Sequence, residues 1–320
     1  MSAPVPCLLE RKILPKVWGG RALERVLGLA LPPGESIGET WELYDRPDGA
    51  SRVRGSELTV HDLLQRFGDD LLGRGVAAAP GGRFPLLLKF IDAREALSVQ
   101  VHPGEEQARA AGDSAKSEAW VVLEAGPRAR IIRGLKAGVT RARFESVAHT
   151  ARVEDLLHAF TPRAGDAISV PSGTVHAIGP DVVLYEIQQN SDLTYRLYDW
   201  GRPREVHLRE ALAAVRYEQP PEECIAPEPI PGGGEWLLRT PHFRVRRFPV
   251  SGASVLGTEG RVKVLTILAG RGTLGWRSGG RDMPLALGPG DTVLVPAAVG
   301  SVFLSPIGAM TILWSEPGEA

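Results

Sequence analysis

Short apolar runs between turn residues dominate the pattern of this chain. The runs are rich in β-branched residues, and glycine or proline separates them at short intervals. Such a pattern is typical of short antiparallel strands in a sandwich or barrel. The clearest predicted strands are 167–170, 182–187, 262–268 and 292–295. We therefore predict a mostly β protein.

A few segments instead repeat their apolar residues at a spacing near 3.6, which predicts amphipathic helices. They cover residues 60–72, 152–160 and 205–216. In the last of these, Leu208, Leu212 and Val215 lie on one side of the predicted helix. These segments predict a few helices added to the β framework.

Polar side chains, among them three that can bind a metal ion, lie at alternate positions of three segments. Alternate residues of a strand share a face, so Ser98, Gln100 and His102 would point the same way. By the same alternation, Glu118 would share a strand face with Lys116, and His176 would share one with Thr174. Two imidazoles and one carboxylate are the ligand set of a catalytic zinc site with an open position. The sequence therefore predicts a metal centre held by His102, Glu118 and His176.

Composition excludes several other classes of function. The formal net charge is −1 over 320 residues, so no basic excess indicates binding to nucleic acid or to a membrane surface. The two cysteines, Cys7 and Cys224, form no metal-binding or disulfide pattern. We find neither a signal peptide in residues 1–10 nor an apolar run of about 20 residues, and we expect a cytosolic protein. The oligomeric state is left open.

Residues 220–234 are rich in proline, glutamate and glycine and predict a linker. We expect an N-terminal catalytic domain with helical additions over residues 1–219 and a C-terminal domain over residues 235–320. The two parts share turn residues at equal spacing: Gly165, Pro171 and Gly173 in the first correspond to Gly290, Pro296 and Ala298 in the second. In the second copy, Ser301 stands at the position that corresponds to His176, and Val262 at the position that corresponds to Glu118. This predicts a duplicated barrel whose C-terminal copy has lost its metal.

The spacing of Gly165, Pro171, Gly173 and His176 resembles the second motif of the cupin superfamily. Segments 171–179 (PSGTVHAIG) and 186–199 (EIQQNSDLTYRLYD) resemble the signature of type I mannose-6-phosphate isomerases. Further segments resemble the short bacterial branch of that family: 16–20 (KVWGG), 38–41 (GETW), 85–89 (PLLLK), 97–103 (LSVQVHP) and 116–120 (KSEAW). The resemblance implies two cupin barrels and a metal-dependent isomerase that interconverts mannose 6-phosphate and fructose 6-phosphate through a cis-enediolate.

The same resemblance implies roles for individual residues. His102, Glu118 and His176 would hold one Zn²⁺ ion per chain, with Gln100 as a fourth ligand that water can replace. Arg196 corresponds to the catalytic arginine of the family. Lys89, Ser98 and Lys116 correspond to positions that dock the sugar phosphate.

Several alternatives stay open at this stage. The proton carrier is Lys116 or Glu186, and the sequence does not choose between them. Glu118 could instead pair with Lys116 or Arg133, and Arg196 could pair with Asp192 or Asp199. Two histidines and a carboxylate also form the iron site of cupin oxygenases, although those usually have the acid close to the first histidine. A non-catalytic sugar-binding cupin is a third possibility.

Overall fold

The computed structural model describes residues 3–318, so the outermost ends of the two predicted domains, residues 1–2 and 319–320, lie outside the described range. The strands are, in chain order, β1 Cys7–Leu8, β2 Lys12–Gly20, β3 Ile37–Leu43, β4 Asp45–Arg46, β5 Gly49–Ala50, β6 Leu86–Ala93, β7 Val99–Val101, β8 Glu118–Ala125, β9 Ile131–Leu135, β10 Leu157–Phe160, β11 Ala167–Val170, β12 His176–Ile178, β13 Val182–Gln189, β14 Tyr195–Tyr198, β15 Glu228–Pro229, β16 Glu235–Arg239, β17 Phe243–Val250, β18 Ser254–Gly257, β19 Lys263–Ser278, β20 Arg281–Leu287, β21 Thr292–Val295 and β22 Ser301–Pro317. The α-helices are α1 Ala22–Leu27, α2 Val60–Phe67, α3 Asp69–Leu72, α4 Glu105–Ala110, α5 Arg141–Glu145 and α6 Leu208–Ala214, and two short 3₁₀ helices cover Ala151–Leu156 and Ala297–Val299. The mostly β prediction is confirmed.

The helix predictions need correction in detail. The predicted helix 60–72 is interrupted at Gly68, whose φ of 46° ends α2 before α3 begins. The predicted helix 152–160 is wrong in its second half, because residues 157–160 form β10 and pair with β9. The predicted helix 205–216 is shorter, with α6 covering Leu208–Ala214. Tertiary strand pairing overrides a local helical pattern that is only two turns long.

Two sheets form the part of the fold that carries the predicted ligands. One has six strands in the order β11-β8-β13-β6-β2-β3, and the other has five in the order β10-β9-β12-β7-β14. Buried side chains from both sheets pack together, including Trp120 and Ile91 from the first and Ile131 and Ile178 from the second. The strands that carry these residues therefore present one face to the space between the sheets.

A third sheet of nine strands contains the C-terminal strands and also β1, whose Cys7 pairs with Leu294 of β21. It packs on the six-stranded sheet, since Phe90 and Tyr185 share a buried cluster with Val264 and Leu313. The predicted linker is partly structured, because it contains β15, which pairs with β16. The domain boundaries and the division into two barrels stay predictions.

Within the described residues, no helix is long and apolar enough to span a membrane.

Candidate metal centre and active-site cavity

Three side chains converge between the two N-terminal sheets. His102 directly follows β7, Glu118 begins β8 and His176 begins β12. Glu118 Oε2 lies 3.2 Å from His102 Nε2, and Glu118 Oε1 lies 3.3 Å from His176 Nε2. One ligand atom from each residue lies within 4.8 Å of the others, and all three side chains are buried. The chain thus brings together the three ligands that the sequence predicted.

Backbone carbonyls fix the orientation of both imidazoles. His102 Nδ1 donates to Leu193 O at 2.9 Å, and His176 Nδ1 donates to Thr174 O at 2.9 Å. A carbonyl can only accept, so each Nδ1 carries the proton and each Nε2 of the neutral ring presents a lone pair. Both Nε2 atoms lie within 3.3 Å of a Glu118 oxygen. Each also has a nitrogen donor within 3.2 Å, which is Lys116 Nζ for His102 and Gln100 Nε2 for His176. The Nδ1 contact of each ring is the usual support for a metal-binding histidine.

Burial keeps these rings neutral. It lowers the pKa of His102 to about 3, and the nearby charge of Lys116 acts in the same direction. Burial likewise lowers the pKa of His176. Neutral imidazole is the form that binds a metal ion.

The carboxylate of Glu118 is ionised despite its burial. Burial opposes the charged form, but the ammonium group of Lys116 beside it holds the pKa of Glu118 well below its ordinary value. Among the described residues its Oε2 has no hydrogen bond; it lies 3.1 Å from Lys116 Nζ, its ion-pair partner, and 3.2 Å from His102 Nε2. A buried, ionised carboxylate whose two oxygens each lie within 3.3 Å of the Nε2 atom of a neutral imidazole fits a divalent cation.

Gln100 lies beside the triad on the neighbouring strand β7. Its Nε2 is 3.2 Å from His176 Nε2, and its Oε1 accepts a hydrogen bond of 3.3 Å from Ser98 Oγ. Ser98 Oγ in turn accepts from Arg196 Nε at 3.3 Å. A continuous chain of contacts therefore connects Arg196 to His176.

A cavity of about 310 Å³ opens beside the triad. Gln100 and Lys116, which contact the triad, also line this cavity. Five cations line it: Lys16, Lys89, Lys116, Arg196 and Arg204. Three carboxylates, Glu39, Glu186 and the exposed Asp192, are also part of the wall. The volume and the excess of cations suit a small anionic ligand.

Most of the cavity cations already have a carboxylate partner. Lys89 Nζ lies 3.0 Å from Glu186 Oε1 and 4.0 Å from Glu39 Oε2. Lys16 pairs with Glu39 at 3.3 Å and Lys116 with Glu118 at 3.1 Å.

Arg204 has the same kind of partner, because it pairs with Asp199 at 2.6 Å. Arg196 differs, because within residues 3–318 it forms no ion pair and its guanidinium group donates only to Ser98 Oγ and Glu205 O. Arg196 is thus the cavity cation whose charge is available to a ligand.

Lys89 and Glu186 form a buried pair in the cavity wall. Burial opposes the charge of Lys89, but Glu186 and Glu39 outweigh it and raise the pKa of Lys89. Burial raises the pKa of Glu186, while Lys89 opposes this rise. Trp120 Nε1 donates to Glu186 Oε2 at 3.1 Å and fixes the carboxyl group.

The structure shows which of the alternative ion pairs of Glu118 and Arg196 form. Arg133 does not pair with Glu118, because its guanidinium donates to Ser169 O and Glu222. Asp199 pairs with Arg202 and Arg204 instead of Arg196. The pairing of Glu118 with Lys116 is present, and it coexists with the two histidine contacts.

Sequence reasoning assigned no role to three charged residues of the cavity wall: Lys16, Glu39 and Arg204. Lys16 and Glu39 lie in segments whose resemblance to the isomerase family was noted, so a signal existed for them. Arg204 lies beyond the last such segment and had none.

Comparison with known proteins agrees with this site. Residues 7–120 match the model of the type I phosphomannose isomerase catalytic domain. The mannose-6-phosphate isomerase of Streptococcus mutans is 31% identical over 308 residues, which cover 92% of this chain and 94% of that protein. The chain belongs to the type I mannose-6-phosphate isomerase family.

Other members of the family are similar along nearly the whole chain. The Bacillus subtilis mannose-6-phosphate isomerase ManA is 33% identical over 302 residues, 89% of this chain and 91% of that protein. The crystal structure of a mannose 6-phosphate isomerase from Bacillus subtilis superposes with a TM-score of 0.87 at 28% identity. It covers 98% of this chain and 100% of that structure. The family similarity therefore extends to the C-terminal strands as well as to the cavity.

Proposed function

We propose that this chain interconverts mannose 6-phosphate and fructose 6-phosphate. The relatives that support this are mannose-6-phosphate isomerases by name. The observation that carries the proposal is a three-residue cluster beside a cavity that Arg196 lines, a cation with no ion pair within residues 3–318 and therefore available to an anion. A sugar phosphate is a small anion with hydroxyl groups, and it matches both features. No feature of the cavity favours the oxygenase or the non-catalytic alternative.

The cluster would hold one Zn²⁺ ion through His102, Glu118 and His176, with Gln100 as a possible fourth ligand. A divalent cation there supplies Lewis-acid stabilisation of negative charge that develops on neighbouring substrate oxygens. Two neutral imidazoles and one ionised carboxylate leave a net positive centre, which suits that task.

The cationic wall would bind and orient the substrate. Within the described residues, the guanidinium group of Arg196 has N–H donors without partners, and these can donate hydrogen bonds to the phosphate or to the enediolate oxygens. Ser98 holds Arg196 through its hydroxyl group and shares the docking role. Lys89 and Lys116 add positive charge to the wall, each beside a carboxylate.

The reaction moves a proton between C1 and C2 through a cis-enediolate, so a base must reach those carbons. Lys116 and Glu186 both line the cavity, which supports either of them as this base. We propose Lys116 as the catalytic residue together with Arg196, and we keep Glu186 as the competing base. The pH dependence of the Lys89→Met variant distinguishes these two candidate bases.

The direct test removes and restores the metal. Chelator-treated protein should interconvert mannose 6-phosphate and fructose 6-phosphate only after a divalent ion is returned, with Zn²⁺ tested first. His176→Ala should lose both the bound metal and the turnover. His149→Ala, which alters an exposed histidine, is the matched control and should keep both. Turnover by the fully stripped protein would contradict the proposal.

A further inference from the structure

A tight turn after β14 brings two arginines onto one buried carboxylate. Trp200 and Gly201 have φ angles of 56° and 80°, which reverse the chain directly after Asp199. Arg202 Nη2 donates to Asp199 Oδ1 at 2.7 Å. Arg204 donates through Nε to Asp199 Oδ2 at 2.6 Å and through Nη2 to Oδ1 at 2.7 Å. Asp199 is 3% exposed, so this carboxylate is a rigid anchor for both guanidinium groups.

The two arginines have different positions relative to the cavity. Arg204 lines it, and its Nη1 is not used by Asp199. Arg202 is absent from the cavity wall and donates instead to Ala96 O at 2.7 Å. The indole of Trp200 donates to Leu97 O at 2.7 Å, which ties the turn to the segment that carries Ser98.

The charges of this region suit a doubly charged anion. Arg202 balances the charge of Asp199, so Arg196 and Arg204 remain as two positive groups on the cavity wall. Arg196 and Arg204 line the same cavity. Burial lowers the pKa of Arg196, and the charges of Arg204 and Arg202 lower it further. The neighbouring Glu205 carboxylate is 81% exposed and faces His207 at 3.8 Å.

We propose that Arg204 is a second phosphate-binding residue, acting beside Arg196, and that Asp199 positions it. This inference rests on the proposed function, because it assigns the phosphate of the substrate to one end of the cavity. A phosphate monoester carries a charge of nearly −2 at neutral pH and accepts several charge-assisted hydrogen bonds. The side of Arg204 that Asp199 leaves free supplies such donors, while the carboxylate holds the guanidinium in place.

Arg202 provides a matched control for Arg204, since both pair with Asp199 but only Arg204 lines the cavity. We expect Arg204→Gln to raise the KM for mannose 6-phosphate about 10- to 100-fold, the usual range for hydrogen bonds to a charged group. The kcat should change much less. Arg202→Gln should keep the KM within about twofold of the wild type.

The phosphate itself is tested by calorimetry on chelator-treated proteins, where no turnover occurs. Arg204→Gln should weaken the binding of mannose 6-phosphate and leave the binding of free mannose unchanged. Asp199→Asn should raise the KM in the same direction as Arg204→Gln, with thermal melting as the check on folding. A positioning role predicts that Asp199→Asn adds little to the effect of Arg204→Gln in the double variant, whereas a general structural role predicts that the two effects add.

Failure of this inference is distinguishable from failure of the proposed function. Arg204→Gln with a KM and a binding constant within twofold of the wild type would overturn the role of Arg204 while the isomerase activity stands. Absence of turnover in the metal-loaded wild type, with weaker binding of mannose 6-phosphate by Arg204→Gln, would overturn the isomerase proposal and leave the phosphate site in place.

Discussion

Glu118 Oε1 lies 3.3 Å from His176 Nε2, although the two residues begin strands of different sheets. The contact joins the six-stranded and five-stranded sheets at the same end of the space between them. A cation held by both residues would therefore link the two sheets as well as serve the chemistry.

Metal binding should stabilise the fold for this reason. Zn²⁺ added to chelator-treated protein should raise the melting temperature, with a gain of about 4 kcal/mol when free zinc is about 1,000 times the dissociation constant. Glu118→Gln should abolish most of this gain, measured by calorimetry. Glu124→Gln alters a half-exposed residue of the same strand and should preserve the zinc effect. Equal stabilisation of both variants would argue against Glu118 as a ligand.

Arg196→Ala should leave the metal bound and lower kcat/KM by roughly 10²- to 10³-fold, the size expected when a fixed donor to developing charge is removed. The reason is that no other cavity cation within the described residues is without a carboxylate partner. Elemental analysis measures whether the metal stays bound, and steady-state kinetics measures the loss of kcat/KM. Arg209→Ala, at a guanidinium side chain 93% exposed, should behave as the wild type. Near-normal turnover of the Arg196 variant would remove the assigned role.

The pH profile should identify the base. Burial raises the pKa of Glu186, and the positive charge of Lys89 opposes this rise. Lys89→Met should therefore raise the pKa of Glu186 further. If Glu186 is the base, activity is lost as the pH falls through this pKa, and the acidic limb of kcat/KM moves to higher pH in the variant.

Lys12→Met is the control for this experiment, because Lys12 contacts the Trp41 ring but does not line the cavity. It should leave the acidic limb unchanged. An unchanged limb in Lys89→Met would exclude Glu186 as the base and leave Lys116 in that role.

A buried ion pair in the C-terminal sheet should be essential for stability. Lys263 is fully buried and pairs with Glu316, whose side chain is 3% exposed. Lys263→Met would leave the carboxylate of Glu316 buried, with Arg261 Nε as a partner at 3.6 Å. We expect the free energy of unfolding to fall by about 3–5 kcal/mol.

Chemical denaturation measures this loss, and Arg277→Met on the same strand, 74% exposed, should cost less than about 0.5 kcal/mol. Adding Glu316→Leu to Lys263→Met should restore part of the stability, because it removes the uncompensated charge. No loss in the single variant would show that the pair is not needed.

The sequence was informative where residue type and spacing are themselves the chemistry. His102, Glu118 and His176 could be assigned because two imidazoles, a carboxylate and a glycine-proline turn form a pattern that few other structures require. It was less informative about helices, since the apolar spacing of residues 152–160 fits a helix as well as the strand that forms there. Pairing with β9, which lies elsewhere in the chain, decided between them.

Partners distant in sequence were also beyond local reasoning. Glu39 and Lys89 could be noted separately, but their approach to 4.0 Å depends on the pairing of β3 with β6. The pairing of β1 with β21 in the C-terminal sheet could not be predicted either, because the local sequence around Cys7 does not indicate which distant strand it pairs with.

The sequence by itself determined the mostly β fold, the family resemblance and the three candidate ligands, because periodicity and motif spacing are local properties of the chain. Only the tertiary structure decided that Arg196 forms no ion pair in the described part of the chain, that Lys89 is shared between two carboxylates and that Arg204 lines the cavity. An ion pair depends on distances across several strands, and those distances exist only after the sheets have packed.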